Sequence, residues 1–74
     1  MIGHRIAQLR KLNKMSQYDL GKEVNLDQTL ISRIERNQRK VTSDELVLFS
    51  KVLNVSINEL LKTSRSIQQG TNIQ

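Results

Sequence analysis

Gln28, Thr29, Ser32 and Arg33 are the side chains of this sequence best suited to chemistry, and that chemistry is recognition of flat polar edges rather than bond-making. At about 100° per residue the four share one side of a helix, while Ile31 and Ile34 fall on the other. The Gln28 amide can pair with adenine N6 and N7, and the Arg33 guanidinium with guanine O6 and N7. Thr29 adds a methyl that suits the thymine C5-methyl group. Ser32 is small enough to let the helix sit close. A helix with such an outer face and an apolar inner one fits a DNA major groove.

Residues for catalysis are missing. His4 is the lone histidine and there is no cysteine, so no metal site and no cofactor is expected. Gly3, Gly21 and Gly70 are scattered and form no phosphate-cradling loop. Asp19 and Glu23 stand one helical turn apart beside Lys22 and read as surface charges. With no catalytic triad in prospect, an enzyme is not expected.

The net charge is +5 over 74 residues. Between positions 28 and 43, Arg33, Arg36, Arg39 and Lys40 oppose only Glu35, and Arg5, Arg10, Lys11 and Lys14 lie near the start. A basic face of this kind favours a polyanion through counterion release. A solvated, solubilising face explains the charge equally well, so the surrounding pattern carries the argument. No apolar run reaches signal-peptide or membrane-spanning length, which gives the cytoplasm as the expected location and no membrane partner.

The elements that must position these side chains are helices. Proline is absent and the aromatics are Tyr18 and Phe49, which favours an all-α bundle over a β-sandwich. Ile2, Ile6, Leu9 and Leu12 have a helical period, and the first helix should end near Asn13 and Lys14, with Asn13 tolerating a left-handed cap. Ser16 is a natural N-cap, with Asp19 in the capping-box position, and Leu20 and Val24 then point inward. Asn25 can take the positive φ of a tight turn, Leu26 plugs the core, and Asp27 caps a third helix over about 28–36. A polar loop runs from Asn37 to Thr42. Thr42 or Ser43 opens a fourth helix, with Asp44 and Glu45 complementing its dipole and Leu46, Phe49, Val52 and Leu53 forming its apolar stripe. Asn54 and Val55 break the chain, and Ser56 caps a last short helix carrying Ile57, Leu60 and Leu61. Residues 1–62 read as one domain and 63–74 as a polar, flexible tail or linker.

The blocks IAQLRK, SQYDL, LISRIERN and LNVSINELL, in that order, resemble the DNA-binding domain of phage-repressor-like transcription factors, the Xre/Cro helix-turn-helix family. The resemblance covers Ile2 to Lys62. It implies a compact five-helix, lambda-repressor-like bundle whose second and third helices form the reader. It also implies a repressor or activator, with repression the expected sign, that binds a near-palindromic double-stranded operator as a homodimer. By the same resemblance Gln17 holds a phosphate at the start of helix 2, and Arg10 bridges to Glu35 to lock the reader's orientation. Asn37, Gln38, Arg39 and Lys40 are expected along the DNA backbone, where contacts set register and affinity but not sequence. Arg36 and Lys11 are expected to be solvated or outer phosphate contacts.

Four positions depart from the family pattern. Gly21 stands where alanine is usual, a choice read as costing about 1 kcal/mol of helix stability. Asn25 and Asn37 occupy positions often held by glycine, and Val41 replaces a loop proline. An alternative function is a protein-interaction module, such as an antitoxin or an anti-repressor. Leu48 motivates it, because the helical period places this leucine on the outer side of helix 4.

Overall fold

The computed structural model describes residues 2–61, which form helices α1 (Ile2–Leu12), α2 (Gln17–Val24), α3 (Gln28–Glu35), α4 (Ser43–Val52) and α5 (Ile57–Leu61). No strand occurs among these residues. Lys62 and the expected tail at 63–74 lie outside the described residues.

Local chemistry sets the helix starts. The Ser16 hydroxyl accepts from the Asp19 N–H at 2.9 Å, and the Asp19 carboxylate accepts from the Ser16 N–H at 3.1 Å. Thr42 and Glu45 repeat this reciprocal arrangement at the start of α4. Asp27 accepts from the Leu30 N–H at 2.9 Å and Ser56 from the Glu59 N–H at 3.0 Å. Each side-chain oxygen satisfies a donor that has no partner within its helix.

The helix ends share a second device. Lys14, Asn25, Asn37 and Asn54 all have φ near +60°, so four helices close on a left-handed residue that is not glycine. At the end of α1 the left-handed residue is Lys14 rather than Asn13, which corrects the expectation above. Asn13 instead spends its side chain on the helix, with Nδ2 donating to the Leu9 carbonyl at 2.7 Å. That bond keeps Asn13 at the helix end, and the chain reverses one residue later.

The core comprises Ile6, Leu9, Leu20, Val24, Ile31, Ile34, Phe49, Leu53 and Leu60, all buried. Met15, Leu26, Leu46, Val52 and Val55 pack against it from its edges. Phe49 is fully enclosed, and removing such a ring typically costs about 3–5 kcal/mol. Helix α3 packs on α1 and α2, α4 on α2, and α5 on α1 and α4. Of the apolar residues expected in α5, Leu60 alone is buried; Ile57 and Leu61 face outward. A five-residue helix presents little more than one turn, so one side chain reaches the core.

The described glycines, Gly3 and Gly21, serve close approach rather than turning. A Cβ on Gly21 would lie 2.4 Å from the Leu26 carbonyl oxygen, so Gly21 is where the α2–α3 turn folds back on α2. This corrects its reading as a mere loss of helix propensity. A Cβ on Gly3 would lie 2.2 Å from the Ile34 carbonyl oxygen, which puts the first turn of α1 against the last turn of α3.

Candidate nucleic-acid interface

Helix α3 divides as its sequence dictates. Ile31, Ile34 and Glu35 are buried, while Gln28, Thr29 and Arg33 are exposed and Ser32 is half-buried. On a helical projection Gln28, Ser32, Thr29 and Arg33 span an arc of about 140°, and Arg36, the C-cap, falls inside it. The structure thus brings together all four expected base-reading residues. Sequence reasoning underweighted Arg36, which the 3.6 period alone would have placed there. None of the four side chains has a hydrogen bond or ion pair among the described residues. Arg5, Arg10 and Arg39, by contrast, are all paired.

Behind this face α3 is anchored by charge. Arg10 Nε donates to Glu35 Oε2 at 2.7 Å and Nη2 donates to Glu35 Oε1 at 3.1 Å, a two-pronged bond away from solvent. Arg10 Nη1 also donates to the Met15 carbonyl at 2.8 Å, so one guanidinium joins the α1–α2 turn to α3. Gln17 Nε2 donates to Glu35 Oε1 at 3.1 Å. The expected Arg10–Glu35 bridge is therefore present, and Gln17 belongs to the same cluster, a contact across 18 positions that no local pattern announces.

Asn37, Gln38, Arg39 and Lys40 also converge, lining with Ile2 a groove of about 350 Å³ beside the start of α1. Their chemical states differ. Gln38 and Lys40 are exposed, with side chains free of partners among the described residues. Arg39 donates from Nη1 and Nη2 to the two carboxylate oxygens of Glu45 at 2.9 and 3.0 Å. The Arg39 guanidinium holds the Glu45 carboxyl below its ordinary range, and Glu45 in turn raises Arg39. Asn37 Oδ1 accepts from the Gly3 N–H at 3.2 Å. The Arg39–Glu45 bond spans a loop, and reading Glu45 only as a dipole-complementing residue missed it.

The surface matches a known recognition architecture. A family model described as helix-turn-helix matches residues 6–60. The chain is 33% identical over 61 residues to the control protein C.SmaI of Serratia marcescens, covering 82% of this chain and 73% of that protein. It is 39% identical over 62 residues to the control protein C.BamHI of Bacillus amyloliquefaciens, covering 82% of this chain and 76% of that protein. The crystal structure of the P22 c2 repressor in complex with a synthetic operator is similar with a TM-score of 0.79 and 37% identity, covering 84% of this chain and 94% of that one. With its polar α3 face, buried Arg10–Glu35 anchor and capped turn, the chain belongs to the helix-turn-helix family of DNA-binding transcriptional regulators.

Proposed function

We propose that α3 enters the major groove of an operator and that Gln28, Thr29, Ser32 and Arg33 face its base edges. The observation that carries this reading is the polar face of α3, whose side chains have no partners among the described residues while its opposite face is buried. Polar groups left unpaired on a rigid helix are ready to bond a ligand without first breaking internal bonds. Gln17, Asn37, Gln38, Arg39 and Lys40 hold the phosphate backbone on either side, and Arg10 and Glu35 keep the reader at a fixed angle. The protein acts by occupancy rather than catalysis, in the cytoplasm, and needs no cofactor.

A single reader of this size contacts too few base pairs for genomic selectivity, so the chain binds as a homodimer on a near-palindrome. The P22 c2 repressor's complex with a synthetic operator supports operator binding. Its test is Arg33→Ala. Loss of a bidentate guanine contact should cost about 1–3 kcal/mol on the operator and relax preference at one or two base pairs. Equal weakening on operator and random DNA would contradict base reading by Arg33.

A second reading, binding to a partner protein as an antitoxin or anti-repressor would, draws on Leu48, which is 38% exposed beside Val47 at 41% on α4. Under it, Leu48→Glu should abolish association with that partner; unchanged association would remove this reading.

A further inference from the structure

Asn37 stands at a junction that the DNA-backbone role assigned to it does not use. It follows the α3 C-cap with φ 61°, its N–H donates to the Ile34 carbonyl at 3.0 Å, and the Gln38 N–H donates to the Arg33 carbonyl at 2.8 Å. This is a complete left-handed helix closure, which a glycine would satisfy with less strain. What asparagine adds is its side chain: Oδ1 accepts from the Gly3 N–H, 34 positions away. That N–H lies in the first turn of α1, where backbone donors have no partner within the helix. Asn37 therefore closes α3 and caps α1 at once. Gly3 makes the joint feasible, because a Cβ there would meet both the Ile34 carbonyl oxygen at 2.2 Å and Asn37 Oδ1 at 2.7 Å.

We propose that Asn37 is a positioning residue of the reader, clamping the C-terminal end of α3 onto the first turn of α1 through Gly3. The inference rests on the major-groove reading of α3. The Arg10–Glu35 pair fixes α3 to the far end of α1, so the Asn37–Gly3 clamp supplies a second point. Both attachments leave α3 at its C-terminal end, from Glu35 and Asn37, and reach opposite ends of α1, at Arg10 and Gly3, so the clamp restrains that end of α3 in a direction the ion pair does not. Loss of the clamp should therefore blur base discrimination before it harms folding.

The experiment compares the full chain with Asn37→Gly, Asn37→Asp and, as a control for the cap alone, Lys14→Gly. The probes are the duplex that wild-type protein enriches from a random pool and a scrambled duplex of equal length. Asn37→Gly keeps the left-handed closure but loses the clamp. Its discrimination ratio should fall about tenfold, roughly the worth of one base pair, and Gly3 amide exchange should quicken about three- to tenfold. Asn37→Asp keeps an acceptor for Gly3 and tolerates positive φ. It should retain the ratio and the Gly3 protection while binding all DNA more weakly through its added charge. Lys14→Gly should leave the ratio unchanged. Wild-type discrimination with an undiminished ratio in Asn37→Gly would overturn the positioning role alone. Wild-type binding that is equal on both duplexes would overturn the major-groove reading and the positioning role with it.

Discussion

Arg10 on α1 and Glu35 on α3 form a two-pronged ion pair at 2.7 and 3.1 Å, with side chains only 11% and 7% exposed. A pair this far from water gives up much of its hydration to form, so the energetic weight lies in keeping both partners. Glu35→Ala strands a buried guanidinium and also releases Gln17. It should cost about 3–5 kcal/mol in urea unfolding, whereas the double variant Arg10→Met with Glu35→Leu should cost far less. A double variant as unstable as the single one would show that the pair contributes net stability beyond its mutual compensation.

Among the described residues glycine is placed where backbones touch and is absent where φ is positive, and exchanging the two should move stability in opposite directions. Gly3→Ala drives a methyl into the Ile34 carbonyl, so despite the better helix propensity of alanine it should lose about 1–3 kcal/mol. Lys14→Gly relieves a left-handed lysine at φ 58° and should gain about 0.5–1 kcal/mol after the entropy of the unfolded glycine is counted. Thermal melts of the two variants test both signs.

This contrast also marks what was legible in the sequence. The helices, the N-caps at Ser16, Asp27 and Ser56, the left-handed Asn25 and the inward Ile31 and Ile34 depend on neighbours within a turn or two, and pattern alone places them. The polar face of α3 follows from the same period. Asn37 with Gly3, Gln17 with Glu35 and Arg39 with Glu45 are made by tertiary approach, and nothing in their spacing signals them. Gly3 and Gly21 were opaque for the same reason: a missing Cβ has meaning only once the opposing carbonyl is in place. Lys14 was missed because a lysine carries no left-handed preference, and the chain needed that conformation one residue beyond the better candidate.

Acid should loosen the start of α4. The Glu45 carboxyl titrates below the usual 4.5, chiefly through its bonds from Arg39, with the Thr42 N–H adding to the effect. Asp19 lies below the usual 3.8 for a related reason, the Ser16 N–H bond first. A carboxyl depressed in the folded state contributes stability that is fully present above its unfolded value and is lost as pH falls through its folded one. Stability should therefore hold at neutral pH and decline below about pH 4.5. Glu45→Gln should be less stable at neutral pH and flatten part of this decline. An identical pH profile for wild type and variant would exclude Glu45 as a contributor.

The loop cations should differ in their salt dependence. Lys40 has no partner among the described residues, so Lys40→Ala should lower the slope of log affinity against log salt by about 0.9, equally on specific and random DNA. Arg39 shares its charge between the phosphate backbone and Glu45, so Arg39→Ala should lower that slope by less than Lys40→Ala does and should also cost thermal stability. Equal slope changes in the two variants would mean that Arg39 leaves Glu45 for phosphate on binding.

Sequence reading by α3 is tested most directly by selecting bound duplexes from a random-sequence pool at about 150 mM salt. Binding by α3 should enrich a near-palindrome with half-sites about one helical turn apart, and Arg33→Ala should alter preference at one or two pairs per half-site. Salt-sensitive binding that enriches no motif would contradict sequence reading by α3.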